Sequence, residues 1–347
     1  MPDVITSIAA IGIDLGDTDA YYATLNGDGQ LMEEGRVAMT PAGIRKMFAE
    51  IPSARIAIEA GAQSRWIAKL LCEFGHEVIV ANPRQVQLIS ANHSKNDSND
   101  AKLLARLARV DPGLLSPLQH RDEKEQTTLL SIRARAQLVK MRVGLMHSLR
   151  GMVKGFGIRL PHSTSDQFLE RCRGSVPSWI LSHLEGVFTV IQDLTRQIEQ
   201  YDEQIEQIAI EQYPAVHGLK QVPGVGTLTA LTYVTTIADP GRFPKSRNAG
   251  AFLGLRPRQQ QSGRQNPQLG ITKAGDSYLR KLLVQSAHCI LNSRGPDSAL
   301  KRWGLKLCER GGSNAKKRAI VAVARKLAVL LHKLWVSGET YRPFPAL

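Results

Sequence analysis

The stretch KNDSNDAKLLARLARV, residues 95–110, places Asp97 and Asp100 three residues apart at the opening of a helical pattern. Leu103, Leu104, Leu107 and Val110 supply an apolar stripe behind them, and Lys102, Arg106 and Arg109 lie on other faces. Acidic residues favour a first helical turn, and Asp97 or Asn99 could cap it. The same spacing also puts two carboxylates on one face, where they repel each other and a divalent cation would relieve the repulsion. Magnesium prefers a few carboxylates together with substrate phosphates. By itself the pair is a weak motif, so its meaning depends on what else can reach it.

Two further carboxylates stand at the ends of predicted strands. Residues 8–14, IAAIGID, read as a buried strand closing on Asp14, and residues 55–59, RIAIE, as another closing on Glu59. A strand end beside a sheet core seldom tolerates an unpaired charge. Residues 20–26 and 31–39 read as strands joined by the Gly27-Asp28-Gly29 turn, and residues 76–81 as a fifth. Helices are expected at 41–51, 63–74, 83–91 and 97–110. Three strands followed by strand–helix alternation predict a mixed sheet flanked by helices, an α/β domain over residues 1–112. Its order resembles the ribonuclease H fold of RuvC-type resolvases, in which Asp14, Glu59, Asp97 and Asp100 would converge on one edge. Asp17, Asp19, Glu33 and Glu34 are expected to be solvated turn residues.

After a linker at 111–117, the pattern from 122 to 154 is one long helix, with Ala134, Leu138, Met141, Leu145, Leu149 and Met152 on a stripe. Residues 155–178 read as irregular. Leu184, Val187, Ile191, Leu194, Ile198, Tyr201, Ile205 and Ile208 then fall at alternating steps of three and four, a coiled-coil seam ended by Pro214. An antiparallel hairpin within one chain and a coil between chains are both compatible with this helical region, 118–213.

The remaining residues, 214–347, carry the charge. The chain has 45 Lys+Arg against 31 Asp+Glu, and residues 241–347 hold 21 basic side chains and only 4 acidic ones. Such a concentration suits a polyanion, with nucleic acid the favoured partner. No run is apolar and long enough for a membrane span, and the opening lacks a basic signal-peptide start, so a cytoplasmic, nucleoid-associated protein is expected. Cys72, Cys172, Cys289 and Cys308 are widely spaced and are expected to be buried small hydrophobes.

Within this basic, mainly helical region, Val222-Pro223-Gly224-Val225-Gly226 before residues 227–234 resembles a helix–hairpin–helix element, whose amides can hold a DNA phosphate without reading sequence. Ser262 lies in a polar loop among Arg256, Arg258 and Arg264, which could hold the phosphate that a nucleophile attacks. Lys273 precedes a basic amphipathic helix bearing Arg280 and Lys281, and the last helix alternates Lys and Arg with aliphatics.

Taken together, Asp14, Glu59, Asp97 and Asp100 match the D-E-D-D pattern of IS110-family transposases, and K-N-D-x-x-D-A at 95–101 is close to its usual form. V-P-G-V-G, G-L-R-P, Q-S-G, I-T-K-A-G-D and Y-L-R-K-L-L resemble the family's C-terminal transposase domain in order and spacing. The long helical insert is similar to the IS1111 subgroup. The resemblance implies a DNA recombinase of an insertion sequence, with Asp14, Glu59, Asp97 and Asp100 holding Mg2+ (or Mn2+) and Ser262 forming a covalent link to DNA. It further implies a non-coding bridge RNA that selects element ends and target. It also implies a homo-oligomer, dimers assembling to a tetramer, whose active sites combine parts of different protomers. A metal-only junction resolvase and a non-catalytic nucleic-acid scaffold are the rival readings.

Overall fold

The computed structural model describes residues 8–84, 96–165, 167–261, 267 and 269–344. The chain folds into two compact units, 1–120 and 121–347.

The first unit is built on a five-stranded sheet of order β3-β2-β1-β4-β5, formed by β1 (Ile8–Leu15), β2 (Asp19–Asn26), β3 (Leu31–Ala38), β4 (Arg55–Glu59) and β5 (Glu77–Ala81). β1 pairs antiparallel with β2 and parallel with β4, so the sheet is mixed, as the strand spacing predicts. One face buries Ile11, Ile13, Ile56 and Ile58 with Ile44 and Phe48 of α1 (Pro41–Phe48) and Ile67 and Leu71 of α2 (Ser64–Glu73). The other face buries Ala10, Ala57, Ile79 and Ala81 beneath Leu104, Leu107 and Ala108 of α3 (Asp97–Val110). Strand residues alternate between these faces with period two, which is why small residues gather on the α3 side. The helix expected at 83–91 lies largely outside the described residues.

Several connecting residues are more ordered than their composition suggests. Glu33 and Glu34 are strand residues of β3 rather than turn residues, and Asp19 opens β2. Tyr22 Oη donates to Glu33 (2.7 Å), and burial with the adjacent carboxylate pushes this phenol up to about 12. The expected linker carries a 3-10 turn over Pro112–Leu115 and runs back along β5, with Asn82 N donating to Leu115 O and Leu118 N to Val80 O. Those bonds cover the outer edge of the sheet.

The second unit begins with α4 (Glu123–Lys154) and α6 (Ser178–Gln212), an antiparallel hairpin within one chain. Thr128 meets Tyr213, Arg135 pairs with Asp202, and Arg142 donates to Thr195, a register that runs in opposite directions. On α6 the seam is close to expectation: Leu184, Ile191, Leu194, Ile198 and Ile205 are buried, with Phe188 and Ala209 beside them. On α4 it is rotated. Leu129, Ile132, Met146, Leu149 and Val153 are buried, whereas Met141 and Met152 stay 47% and 53% exposed. Apolar residues occupy more than one face of α4, so its own periodicity could not choose the face that α6 covers. The stretch expected to be irregular contains α5 (Phe168–Ser175), whose Phe168 and Cys172 are buried. Cys172 is the one described cysteine that is buried. Cys72 and Cys289 are exposed and Cys308 is half-buried, contrary to expectation, because each sits off the apolar stripe of its helix.

Tyr213 ends α6, and Pro214 starts α7 (Ala215–Leu219), followed by α8 (Thr227–Ile237), α9 (Arg247–Phe252), α10 (Ser277–Ile290), α11 (Ala299–Cys308) and α12 (Ala315–Ser337). The core of this bundle is centred on α12, with Val323, Leu327 and Leu331 fully buried. It extends into the base of the hairpin through Ile132, Ile205 and Ala209. Among the described residues, no helix is long and apolar enough to cross a membrane.

Candidate active site and nucleic-acid interface

Ile13 of β1 is paired with Ile58 of β4, so the next residues, Asp14 and Glu59, are neighbours at the ends of adjacent parallel strands. Alternation puts both on the face that carries Ala10, Gly12 and Ala57, beneath α3. Gly12 is what lets that helix descend: a Cβ there would lie 2.0 Å from Ala101 O and 2.4 Å from Ala105 N. Arg55 Nη1 at the start of β4 donates to Ala108 O (3.2 Å), so α3 runs opposite to β1 with its first turn at the Asp14 end. Its sheet-facing positions Ala101, Leu104, Ala105 and Ala108 continue one turn back to Asp97 and Asp100. The fold therefore carries all four acidic positions to one edge of the sheet.

That edge is braced from two sides. Gln63 Nε2 donates to the carbonyls of Gly16 and Asp17, both at 3.1 Å, fixing the turn after Asp14. Glu34 accepts from Lys102 Nζ (2.8 Å) and Ser98 Oγ (2.7 Å) of α3, which hold its carboxyl below the usual range, Lys102 foremost. Asn96 caps the helix through Ser98 N. Among the described residues, no three Asp, Glu, His or Cys side chains are gathered tightly enough to hold a metal ion. As donors the acidic set is all carboxylate oxygen, which suits a hard cation such as Mg2+ or Mn2+ and offers nothing to a soft one.

In the second unit, Gly224 has φ +81°, and a Cβ on it would meet Ser286 O at 2.9 Å, so the turn after α7 needs glycine. Gly226 then caps α8, and its carbonyl accepts from Ala230 N. The amides of Thr227, Leu228 and Thr229 precede that first intrahelical bond and so have no partner in their own helix. Gly224 and Gly226 are exposed, as a phosphate-binding turn requires. Glu206 of α6 also reaches this end: it accepts from Lys220 Nζ (2.8 Å) and from Thr227, and these bonds lower its pKa.

The motifs G-L-R-P and I-T-K-A-G-D interlock. A Cβ on Gly254 (φ +68°) would lie 2.2 Å from Ala274 N, and one on Gly275 (φ +68°) would lie 2.3 Å from Phe252 O. Thr272 N donates to Arg256 O and Arg258 N to Gly270 O, both at 2.9 Å, so the two segments clamp the base of the loop between them. Ser262 and Arg264, assigned to that loop by the sequence reading, lie outside the described residues. Arg256 and Arg258 are exposed at its root, and Arg256 Nη2 donates to Gln259 (2.5 Å). Lys273 and Lys281 are also exposed. Arg280 has a different duty: its Nη1 donates to Leu253 O (3.0 Å) and Ala274 O (2.7 Å), binding the interlocked turns together.

Two family models match these two regions. One, described simply as a transposase and of the IS110 DEDD type, covers residues 11–158; the other, the transposase IS116/IS110/IS902 family, covers residues 216–303. The transposase of insertion element IS1111A from Coxiella burnetii is 30% identical over 275 residues, 74% of this chain and 72% of its own. The chain belongs to the IS110 family of transposases. The transposase of element IS1328 from Yersinia enterocolitica is 26% identical across 96% of this chain and 99% of its own. The protein is thus an insertion-sequence transposase, an enzyme that acts on DNA, and its family's DEDD-type domain suggests dependence on divalent metal.

Sequence reasoning missed Gly12 and gave Glu34 and Arg280 other roles. Gly12 sits inside the strand IAAIGID, where a glycine signals close backbone approach. Glu34 lies in the strand LMEEGRVA, whose residues do not alternate, so no local pattern sets it apart from a solvated residue. Arg280 lies within the expected basic helix, and nothing in its local pattern separates a carbonyl clamp from a phosphate contact.

Proposed function

We propose that this transposase is an RNA-guided DNA recombinase that cuts and rejoins strands through a phosphoserine at Ser262, assisted by divalent metal. The observation that carries the reading is the gathering of Asp14, Glu59, Asp97 and Asp100 at one sheet edge by Gly12 and the descending α3. The strand order supports a ribonuclease H-like domain. Asp14, Glu59, Asp97 and Asp100 would hold the cation. When bound, it supplies positive charge for the scissile phosphate and lowers the pKa of a coordinated oxygen.

The chain's own residues do the rest. Ser262 Oγ bonds to phosphorus as a phosphorus–oxygen bond to deoxyribose breaks, and the hydroxyl proton leaves to a base. No His lies within twenty residues of Ser262 in sequence, so a local Ser–His pair is not available. Arg256 and Arg258, at the root of the loop, and Arg264 within it steady the developing phosphorane charge. Exposed Gly224 and Gly226 offer amides to a backbone phosphate, and Lys273 and Lys281 add charge to the same surface. RNA guidance and tetrameric assembly rest on the family resemblance alone.

The test is a recombination reaction on a suicide DNA substrate, with the protein adduct mapped by mass spectrometry. Adduct on Ser262, and loss of recombination with retained DNA binding in Ser262→Ala, are expected. Normal recombination by Ser262→Ala would remove the serine and leave a resolvase that uses the acidic edge alone.

A further inference from the structure

The far end of the α4–α6 hairpin has its own finished core, in which Val153, Phe168, Cys172, Val176, Ile180 and Phe188 are buried. Two large aromatic rings remain outside it. Phe156 and Trp179 are 59% and 60% exposed and stack edge to face, with centroids 5.5 Å apart and planes at 85°. A soluble protein ordinarily buries rings of this size, and exposing two together marks an interaction surface. They are held firmly: Phe156 N donates to Val153 O, Gly157 N to Lys154 O and Ile158 N to Val153 O, while Trp179 lies in the first turn of α6.

Charge selects the partner. Residues 140–185, around the tip, hold seven Lys+Arg and three Asp+Glu, whereas residues 186–213 of the same hairpin hold one and six. Some tip cations are committed within the chain: Arg150 lies over the Phe168 ring, Arg171 donates to His162 O and Arg173 pairs with Glu185. Lys154 and Arg159, which flank Phe156, are exposed and make no ion pair with a described carboxylate. A rigid aromatic pair flanked by uncommitted cations is the arrangement on which unstacked bases lie while their phosphates are neutralised. A duplex hides its base faces and would use only the charge.

We propose that the Phe156–Trp179 pair, with Lys154 and Arg159, is a stacking platform for unpaired bases of single-stranded DNA. DNA is the polymer on which a transposase acts, and the platform would engage it where its bases are unpaired. The inference rests on that established class of substrate and is independent of Ser262 and of any metal.

Full-length transposase would be irradiated with a single-stranded oligodeoxynucleotide carrying 5-iododeoxyuridine, and the adduct mapped by mass spectrometry. Adduct at Trp179 or Phe156, competed by unlabelled single-stranded DNA better than by blunt duplex or by RNA of the same sequence, is expected. Trp179→Ala should weaken single-strand binding about tenfold with duplex binding changed by less than about twofold, and Trp179→Phe should restore most of the loss. Ser262→Ala should leave the adduct unchanged, which separates this result from the fate of the serine mechanism. Adducts confined to other regions, or RNA outcompeting DNA, would overturn the proposal. So would a Trp179→Ala protein that changes its oligomeric mass while binding single strands normally, since the rings would then join copies of the chain.

Discussion

Asp97 is an exposed residue of the first turn of α3 on the helix face that, further along, lies on the sheet. Replacing it by Asn removes a formal charge and almost no volume, so the fold and DNA binding should persist. Strand cleavage should fall on the order of 1,000-fold, the scale of losing metal-assisted charge stabilisation. A cleavage assay of Asp97→Asn, with wild-type protein in excess chelator alongside, checks this; wild-type rates in either arm would contradict it. A second residue, in the other unit, sets a pH limit. His332 is buried against Phe243, with Nε2 donating to Pro240 O (3.0 Å) and Nδ1 accepting from Ser246 Oγ (3.1 Å), a neutral tautomer whose pKa burial lowers. With the folded pKa below the unfolded value of about 6.5, the native state binds fewer protons. Its contribution is therefore complete above about pH 6.5 and is lost as the pH falls through the folded value. Melting temperatures between about pH 7.5 and pH 5 should decline less steeply in His332→Leu than in wild type.

At the scale of elements, the α3–β1 contact decides whether the acidic positions share an edge. Gly12→Ala would force a methyl to within 2.0 Å of a backbone carbonyl of α3, which only a shift of the whole helix can relieve. Overpacking of this kind costs about 1–3 kcal/mol, and here it also carries Asp97 and Asp100 away from Asp14. Gly12→Ala should lower the melting temperature and reduce cleavage out of proportion to the folded fraction. Cleavage that tracks the folded fraction would show that the edge tolerates displacement. The interlocked Gly254 and Gly275 turns play the matching part in the second unit, with Arg280 holding two carbonyls so that Arg256 and Arg258 stand at a fixed root.

On the scale of the molecule, the basic excess of residues 241–347 predicts that DNA affinity is dominated by counterion release. Full-length protein should show log affinity falling linearly with log salt, at a slope of about −0.9 for each phosphate neutralised. A flat salt dependence would assign the positive charge to a protein partner instead. The measurement belongs to the whole chain, because Ile132, Ile205 and Ala209 of the hairpin complete the core around α12. A fragment starting at residue 215 would expose that seam.

Local pattern determined much of this protein. Strand ends at Asp14 and Glu59, the i, i+3 pair Asp97 and Asp100, the seam of α6 and the turn at Gly224 follow from short-range periodicity and turn chemistry, and the structure contains each element close to its expected bounds. Long-range contact decided the rest. That α3 lies antiparallel on β1 depends on Gly12 meeting Ala101 and Ala105, residues some ninety positions away that no window of sequence contains. The buried face of α4 is chosen by α6, because α4 carries apolar residues on more than one side. Arg280 donates to backbone carbonyls because two distant turns bring Leu253 and Ala274 to it. No local pattern singles out Phe156 and Trp179, which the packed core at the tip of the hairpin leaves exposed.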